Sequence, residues 1–356
     1  LRATTIHRLL GWVPGSRTRF VHDRSNPLPH DVVVVDEASM VSVTLLARLL
    51  TALRPQARLV LIGDPDQLAP VEAGPVLRDI VEAAPGAASG LVSTLAAVGL
   101  PASGPVVRLR RNYRSRPVLA ELARAVLARD VDAALAIATS GEEGIRFAPT
   151  AAQTPLRDRV TGYGAAMVAA ARDGRVREAL ATLDRHRLLC AHRRGPFGVA
   201  LWSRQVEEWL AGAVEGFDPT QTWYPGRPLL VTQNAADLGL YNGDTGVVVL
   251  DKGTLRAHFA RGDKVHVVSP FLLDSVQTIH AMTIHKAQGS QFDEVTVVLP
   301  PSDSPLLTRE LLYTAITRAR LEVTLIGGRD ALARAITRTS PTASGLRDRL
   351  RAASDS

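Results

Sequence analysis

Val32-Val33-Val34-Val35-Asp36-Glu37 reads as a strand that ends on two acids. The β-branched run over 31–35 predicts a buried parallel strand, with the carboxylates at its carboxyl end. Residues 40–53 follow with helical spacing, Leu45, Leu46, Leu49, Leu50 and Leu53 being apolar. Arg58-Leu59-Val60-Leu61-Ile62 is a second buried strand, closing on Gly63-Asp64-Pro65. Strand, helix, strand and polar loop is the α/β pattern, in which ligands gather at the carboxyl ends of strands. Both acidic loops fall there.

The chain has 356 residues, enough for roughly two domains at about 150 residues each. It is 46% hydrophobic and 22% charged, which is globular composition. No stretch approaches the roughly 18 apolar residues of a membrane span. The start, Leu1-Arg2-Ala3-Thr4, has no signal-peptide form and no initiator Met, so it is expected to be a fragment or a processed product. A single cysteine, Cys190, rules out a disulfide framework and fits a reducing cytoplasm. The net charge of +7 suits a polyanionic partner. Only Lys252, Lys264 and Lys286 are lysines, however, so an Arg- and Ala-rich coding bias explains much of it. Aromatics are 4%, too few for an extensive base-stacking platform.

Residues 84–105 are rich in Ala, Gly, Ser and Pro and read as a loose connection. Arg108 to Arg116 is basic, and 117–139 and 165–190 look helical. From 223 onward, turn residues such as Asn242-Gly243-Asp244 punctuate short alternating runs, predicting a small β-barrel module. Residues 295–299 and 322–326 are again α/β strands. The tail from about 340 is expected to be frayed.

Asp36-Glu37 has the Walker B arrangement: the first acid can hold Mg²⁺ and the second can polarise water. A strand end with two solvated acids is the plainer alternative. Gln67, in Gly63-Asp64-Pro65-Asp66-Gln67-Leu68-Ala69-Pro70, can hydrogen-bond a γ-phosphate, or the segment is an ordinary turn. Arg110-Arg111-Asn112-Tyr113-Arg114-Ser115-Arg116 can offer a guanidinium to a transferring phosphate, or be a solvated basic face. In Met282–Phe292, Gly289 permits close backbone approach, while His285 alone reads as a packed histidine. Tyr313–Arg320 brings a helix-borne Arg318 ahead of a strand.

Taken in order, Asp36-Glu37-Ala38-Ser39, Gly63–Gln67, Asn112-Tyr113-Arg114, Thr283-Ile284-His285-Lys286-Ala287-Gln288-Gly289 and Tyr313–Arg318 resemble superfamily 1 helicase motifs II to VI. Thr4–Gly11 resembles the segment before motif II. Leu189–Val199, Leu240–Gly246 and Leu307–Tyr313 are similar to RecD-like helicases, the group that includes a subunit of the RecBCD helicase–nuclease complex. The resemblance implies two RecA-like P-loop NTPase motor domains, the first incomplete. These are a partial first domain at 1–105 with a short hairpin at 12–30, and a second at 106–340. An SH3-like β insertion lies at 226–276 and a flexible tail at 341–356. It implies a 5′→3′ DNA motor with ATP between the two domains and single-stranded DNA crossing both. Asp36 would hold Mg²⁺, Glu37 would activate water, Gln67 would sense the γ-phosphate, and Arg114 and Arg318 would reach it. Gln288, Gly289 and Gln291 would lie at the nucleotide. Thr5, His7, Thr283 and His285 would lie near DNA, and Trp12, Arg17, Arg19 and Phe20 of the hairpin would meet DNA or only pack. Implied partners are single-stranded DNA, duplex ends, and RecB- and RecC-like subunits acting in double-strand-break repair.

Two departures stand out. No G-x-x-x-x-G-K-[ST] occurs in the chain. The family places that motif before Thr4–Gly11, so the expectation is truncation, an unpaired apolar edge on the strands at 31–35 and 58–62, and no ATP hydrolysis by this chain alone. Gln291 replaces the Glu usual in the family, which implies a weakened ribose contact. A stand-alone RecD-like helicase, or a non-catalytic DNA-binding or assembly fragment, are the other readings.

Overall fold

The computed structural model describes residues 3–13, 19–69, 74, 76–84, 106–109, 112–149, 153–262, 264–340 and 345–354. It divides into two compact units, Leu1–Arg111 with Pro341–Ser356, and Asn112–Ser340.

In the first unit, α1 (Ile6–Leu9), β1 (Val32–Val35), α2 (Val43–Ala52), β2 (Arg58–Leu61) and α3 (Val76–Ala83) follow one another. Strands β1 and β2 pair in parallel, Val33 opposite Leu59 and Val35 opposite Leu61. Ser42 caps α2, its hydroxyl accepting from the Leu45 amide at 3.3 Å. The helix then buries Leu46, Leu49 and Ala52 against Val33, Val35 and Leu77. The fully buried strand expected over 31–35 is in fact buried on one face only. Val32 and Val34 are 56% and 57% exposed, as are Val60 at 37% and Ile62 at 47%. The reason is that α2 and α3 cover a single face of the pair. A second correction concerns the tail. Leu346–Ser354 forms the helix α11. Leu346 joins the core of this unit, and Arg347 pairs with Glu82 of α3 at 3.0 Å. One helical turn separates Leu346 from Leu350, so a segment of low mean hydropathy still has one apolar stripe to dock.

The second unit opens with α4 (Pro117–Ala128), α5 (Val131–Ala138), β3 (Ile145–Ala148), α6 (Gln153–Arg172), α7 (Val176–Arg185), β4 (His186–Cys190) and α8 (Val199–Ala213). Pro117 sits in the first turn of α4, where a missing N–H costs nothing. The helix expected over 165–190 ends at Arg185, and 186–190 is a strand. Every residue of β4 is buried, so it shows no alternation that a sequence could betray. Five further strands, β5 (Pro228–Val231), β6 (Thr245–Asp251), β7 (Thr254–Arg261), β8 (Lys264–Val268) and β9 (Val276–Thr278), form an antiparallel sheet in the order β8-β7-β6-β5-β9. Then come β10 (Ala281–Thr283), β11 (Phe292–Val298), α9 (Arg309–Ile316), β12 (Ala319–Ile326) and α10 (Arg329–Thr337). The parallel sheet runs β10-β4-β11-β12-β3. Helix α8 closes over it with Trp202, Val206, Trp209 and Leu210, which recur at helical spacing and are buried with Leu188, Cys190 and Val298.

Helix α6 is tied across the sheet by charge. Arg159 reaches both Glu294 of β11, at 2.6 Å, and Glu322 of β12. Those glutamates stand opposite one another on neighbouring strands. Their repulsion is offset by Arg159 and by Arg146, whose Nε lies 3.0 Å from Glu322.

Candidate functional site

The two acidic loops of the first unit meet. The Ala38 amide donates to the Ile62 carbonyl at 2.8 Å. A Cβ built on Gly63 would lie 3.0 Å from the Ala38 and Ser39 nitrogens and 2.8 Å from Leu77 Cδ2, so glycine is what lets the second loop close on the first. Asp36 and Glu37 are exposed at the end of β1. Glu37 adopts left-handed backbone, φ 51°, and its amide donates to Asp36 Oδ1 at 2.8 Å. A non-glycine residue held there stores strain of a kind concentrated at functional sites. In the second loop, Gln67 Nε2 donates to Asp64 Oδ2 at 3.1 Å, which fixes the amide. Its Oε1 is buried with no hydrogen-bond partner among the described residues, as is Ser39 Oγ. Arg78 of α3 donates through Nε to the Pro65 carbonyl at 2.8 Å and supports this loop. Sequence reasoning missed Arg78, whose only signal was its place on the polar side of α3.

Thr5 and His7 lie at the start of the same unit. The Thr5 hydroxyl caps α1, accepting from the Arg8 amide at 3.3 Å. His7 is exposed, its ring 6.0 Å from that of Phe20. Trp12 and Phe20 form an antiparallel bridge, which gives the hairpin its base. Arg17 falls outside the described residues, as do Pro70, Arg110 and Arg111.

In the second unit, Asn112 forms a turn, its Oδ1 accepting from the Arg114 amide at 2.9 Å. Tyr113 and Arg114 are exposed on that turn. Thr283 ends β10 and is buried, and its hydroxyl accepts from the Lys286 amide at 3.3 Å. This starts a 3-10 turn over Ile284–Ala287 that carries His285 and Lys286. Burial holds both below their ordinary pKa, and the nearby Arg193 charge adds to it. Gln288 and Gln291 are half-buried beyond the turn, around an exposed Gly289 at φ +77° with open space where a Cβ would sit. Glycine is therefore set here by backbone conformation alone. Arg318 is 4% exposed. Its Nε donates to the Thr314 carbonyl at 3.1 Å, Nη1 to the Ser290 carbonyl at 3.1 Å, and Nη2 to Thr317 Oγ1 at 3.2 Å. The side chain thus ties the loop after Gly289 to the end of α9.

Several buried polar groups were not legible as such. His186 stacks on Tyr163 at 5.2 Å and bonds Thr296 Oγ1 at 2.9 Å. His280 bonds the Tyr224 hydroxyl at 2.9 Å. Burial first, then neighbouring arginines, hold both imidazoles neutral down to about 3. Arg187 spans from the Leu183 carbonyl to that of Ile279, with its guanidinium over the Phe292 ring. Among the described residues no group of three or more metal-ligating side chains gathers, and no helix is long and apolar enough to cross a membrane.

The chain is similar in sequence to known helicase domains and helicase subunits. Residues 1–92 match the family model of an AAA domain, and residues 278–326 that of the UvrD-like helicase C-terminal domain. The RecBCD enzyme subunit RecD of Mycolicibacterium smegmatis is 52% identical over 353 residues, covering 99% of this chain and 60% of the relative. That of Mycobacterium tuberculosis H37Rv is 50% identical, covering 98% and 58%. The ATP-dependent RecD2 DNA helicase of Deinococcus radiodurans is 30% identical, covering 89% and 39%. Among solved structures, a Bacteroides Pif1 helicase with ADP-AlF3 and single-stranded DNA overlays at a TM-score of 0.48, with 16% identity, covering 98% of this chain and 83% of that one. The chain spans about 60% of the length of the RecD relatives it matches. With parallel sheets, motifs in this order and half its residues shared with RecD subunits across nearly its whole length, the chain is RecD-like.

Proposed function

We propose that this chain supplies most of the motor of an ATP-dependent, 5′→3′ DNA helicase that works as the RecD subunit of a RecBCD-type complex in double-strand-break repair. The observation that carries the reading is the closure of the Gly63–Gln67 loop on Asp36–Ser39, which puts two exposed acids and an oriented glutamine at one strand edge. Identity to RecD subunits at 52%, against 30% to the stand-alone RecD2 helicase, favours the complex over independent action. The second unit is read as the other motor domain, and its antiparallel sheet as an SH3-like insertion.

The donor set fits a magnesium nucleotide. Asp36 offers a hard carboxylate oxygen, and the Gln67 carbonyl oxygen is buried without a partner among the described residues. When bound, the nucleotide supplies an electrophilic phosphorus and the metal offsets its charge. Asp36 would hold the metal, and Glu37 would accept the proton of the attacking water. Gln67 reports on the γ-phosphate through a side chain already tethered by Asp64. Arg114, exposed on its turn in the second unit, would offer positive charge to a transferring phosphoryl group. Arg318 holds the Gln288–Gln291 loop in shape. Thr5, His7 and His285 would lie near DNA, with the buried Thr283 setting the turn that carries His285.

The test is ATP turnover and unwinding by the intact subunit in its complex, with Glu37→Gln beside the native protein. Removing the water-activating carboxylate while keeping its size is expected to lower turnover by about 10²–10⁴-fold and to leave nucleotide binding intact. Near-normal turnover would take the role from Glu37. Turnover without strand separation would reduce the proposal to a DNA-stimulated ATPase.

A further inference from the structure

Two arginine–aromatic stacks stand at the β5–β9 module, and they differ in how exposed the ring is. Arg227 lies over Trp223 at 4.4 Å, and Trp223 packs against the cluster of Leu229, Val248 and Phe259. Arg261 lies over Tyr241 at 5.0 Å, yet Tyr241 is 46% exposed. The first stack closes the core. The second is displayed.

The loop that displays it, between β5 and β6, is built to stay still. Ala235 and Leu240 exchange backbone hydrogen bonds at 2.9 Å, with Leu240 fully buried beneath them. Asn234 Oδ1 accepts from the Asn242 amide at 2.8 Å. The Gly243 amide donates to the Val231 carbonyl at 2.9 Å. Asp244 Oδ2 accepts from the Tyr241 amide at 3.0 Å and from Arg261 Nη2 at 2.7 Å. Arg261 also donates to the Gly239 carbonyl, and His266 bonds that of Leu238 at 2.7 Å. These bonds leave Tyr241, Asn242 and Gly243 in solvent at the tip. Gly243 has φ +96° and open space around its Cβ position, so nothing crowds the approach.

A rigid ring with a guanidinium over one face and nearly half of its surface exposed has lost its ordering entropy before anything binds. A protein hot spot would need a dry apolar surround, and the tip offers asparagine and glycine instead. Across the β7–β8 hairpin, Lys264 stands opposite Arg261, which adds positive charge beside the ring. An aromatic face next to basic side chains suits a nucleobase with its phosphate.

We propose that Tyr241, backed by Arg261, is a stacking platform for one base of single-stranded DNA, with the Asn242 side chain within reach of that base's edge. This rests on the DNA-motor reading above and adds a residue-level contact to it. The test uses the full chain, a fluorescein-labelled dT oligonucleotide of about 15 residues in anisotropy titrations, and a 5-iododeoxyuridine version for photocrosslinking. Tyr241→Ala is expected to raise Kd by roughly five- to a hundred-fold at unchanged melting temperature, because stacking on one aromatic is lost. Tyr241→Phe keeps the ring and is expected to bind within roughly two-fold of the native chain. Crosslinks are expected at Tyr241. A native chain that binds the oligonucleotide while Tyr241→Ala binds equally well, or crosslinks only elsewhere, overturns the platform and leaves the motor reading standing. A native chain that does not bind the oligonucleotide overturns both.

Discussion

Glu37 shows what a single residue is asked to do at the edge of this sheet. Its φ of 51° costs of order 1–3 kcal/mol for a side-chain-bearing residue, and the same kink turns the chain from β1 into the 3-10 turn at Ala38–Met40. Gly63 is the complement. A methyl group there meets two backbone nitrogens at 3.0 Å, and backbone does not yield as a side chain end does. Gly63→Ala is expected to destabilise the first unit by about 1–3 kcal/mol, read as a lower denaturant midpoint. An unchanged midpoint would mean that the two loops are not locked together. Gln291 is half-buried, with its main-chain carbonyl accepting from Arg320 Nη2 at 3.1 Å. Gln291→Glu is expected to tighten ATP binding in the intact subunit, and an unchanged Kd would remove the ribose contact from consideration. His186 and His280 predict a pH dependence. Their folded pKa values are lowered from 6.5 to about 3, by burial before anything else. The unfolded chain therefore takes up those protons first. Their contribution is complete above about pH 6.5, declines as pH falls toward about 3, and is flat below that. Each site adds at most about 1.4 kcal/mol per pH unit to the slope. Denaturant unfolding of His186→Asn against pH is expected to show a shallower acid limb. An identical limb would assign the acid sensitivity to carboxylates.

Elements were legible where their pattern differs from that of their neighbours. Helix α2 announces itself by Ser42 and three buried positions one turn apart. Strand β4 does not, since His186 and Arg187 are polar residues buried by partners far away in sequence, at Thr296 and Ile279. The mooring of α6 is of the same kind. Nothing local says that Arg159 will face Glu294 and Glu322, more than a hundred residues on. Arg159→Ala leaves two partly buried carboxylates facing one another across β11 and β12. The expected loss is on the order of 3 kcal/mol, measured by chemical denaturation. Adding Glu322→Gln to that variant is expected to restore part of it. A double variant no more stable than the single one would show that packing of the Arg159 stem, not charge, holds α6.

For the whole molecule the charge of +7 has a consequence that no single motif carries. Binding to single-stranded DNA is expected to weaken on the order of ten-fold between 50 and 200 mM salt, since each neutralised phosphate releases counterions. A salt-independent Kd would point to stacking alone. The chain holds no G-x-x-x-x-G-K-[ST], so the 356 residues by themselves are expected to show no DNA-stimulated ATP turnover in a phosphate-release assay. Robust turnover would mean that the phosphates are gripped by other groups.

The α/β class, the order of the motifs and the two acidic loops at strand ends are legible in the amino-acid sequence. Those signals are local: a valine run stopped by acids, a capped amphipathic helix, glycines at turns. Packing sets the rest: the face bearing Val32 and Val34 is exposed, 186–190 is a strand, and 346–354 docks on α3. It also turned Arg318 into a buried tie between Ser290 and α9, and set Tyr241 apart from Trp223. Burial and partner choice are properties of the packed chain. They depend on contacts between residues far apart in sequence, and no local spacing encodes which of two similar side chains will end up exposed.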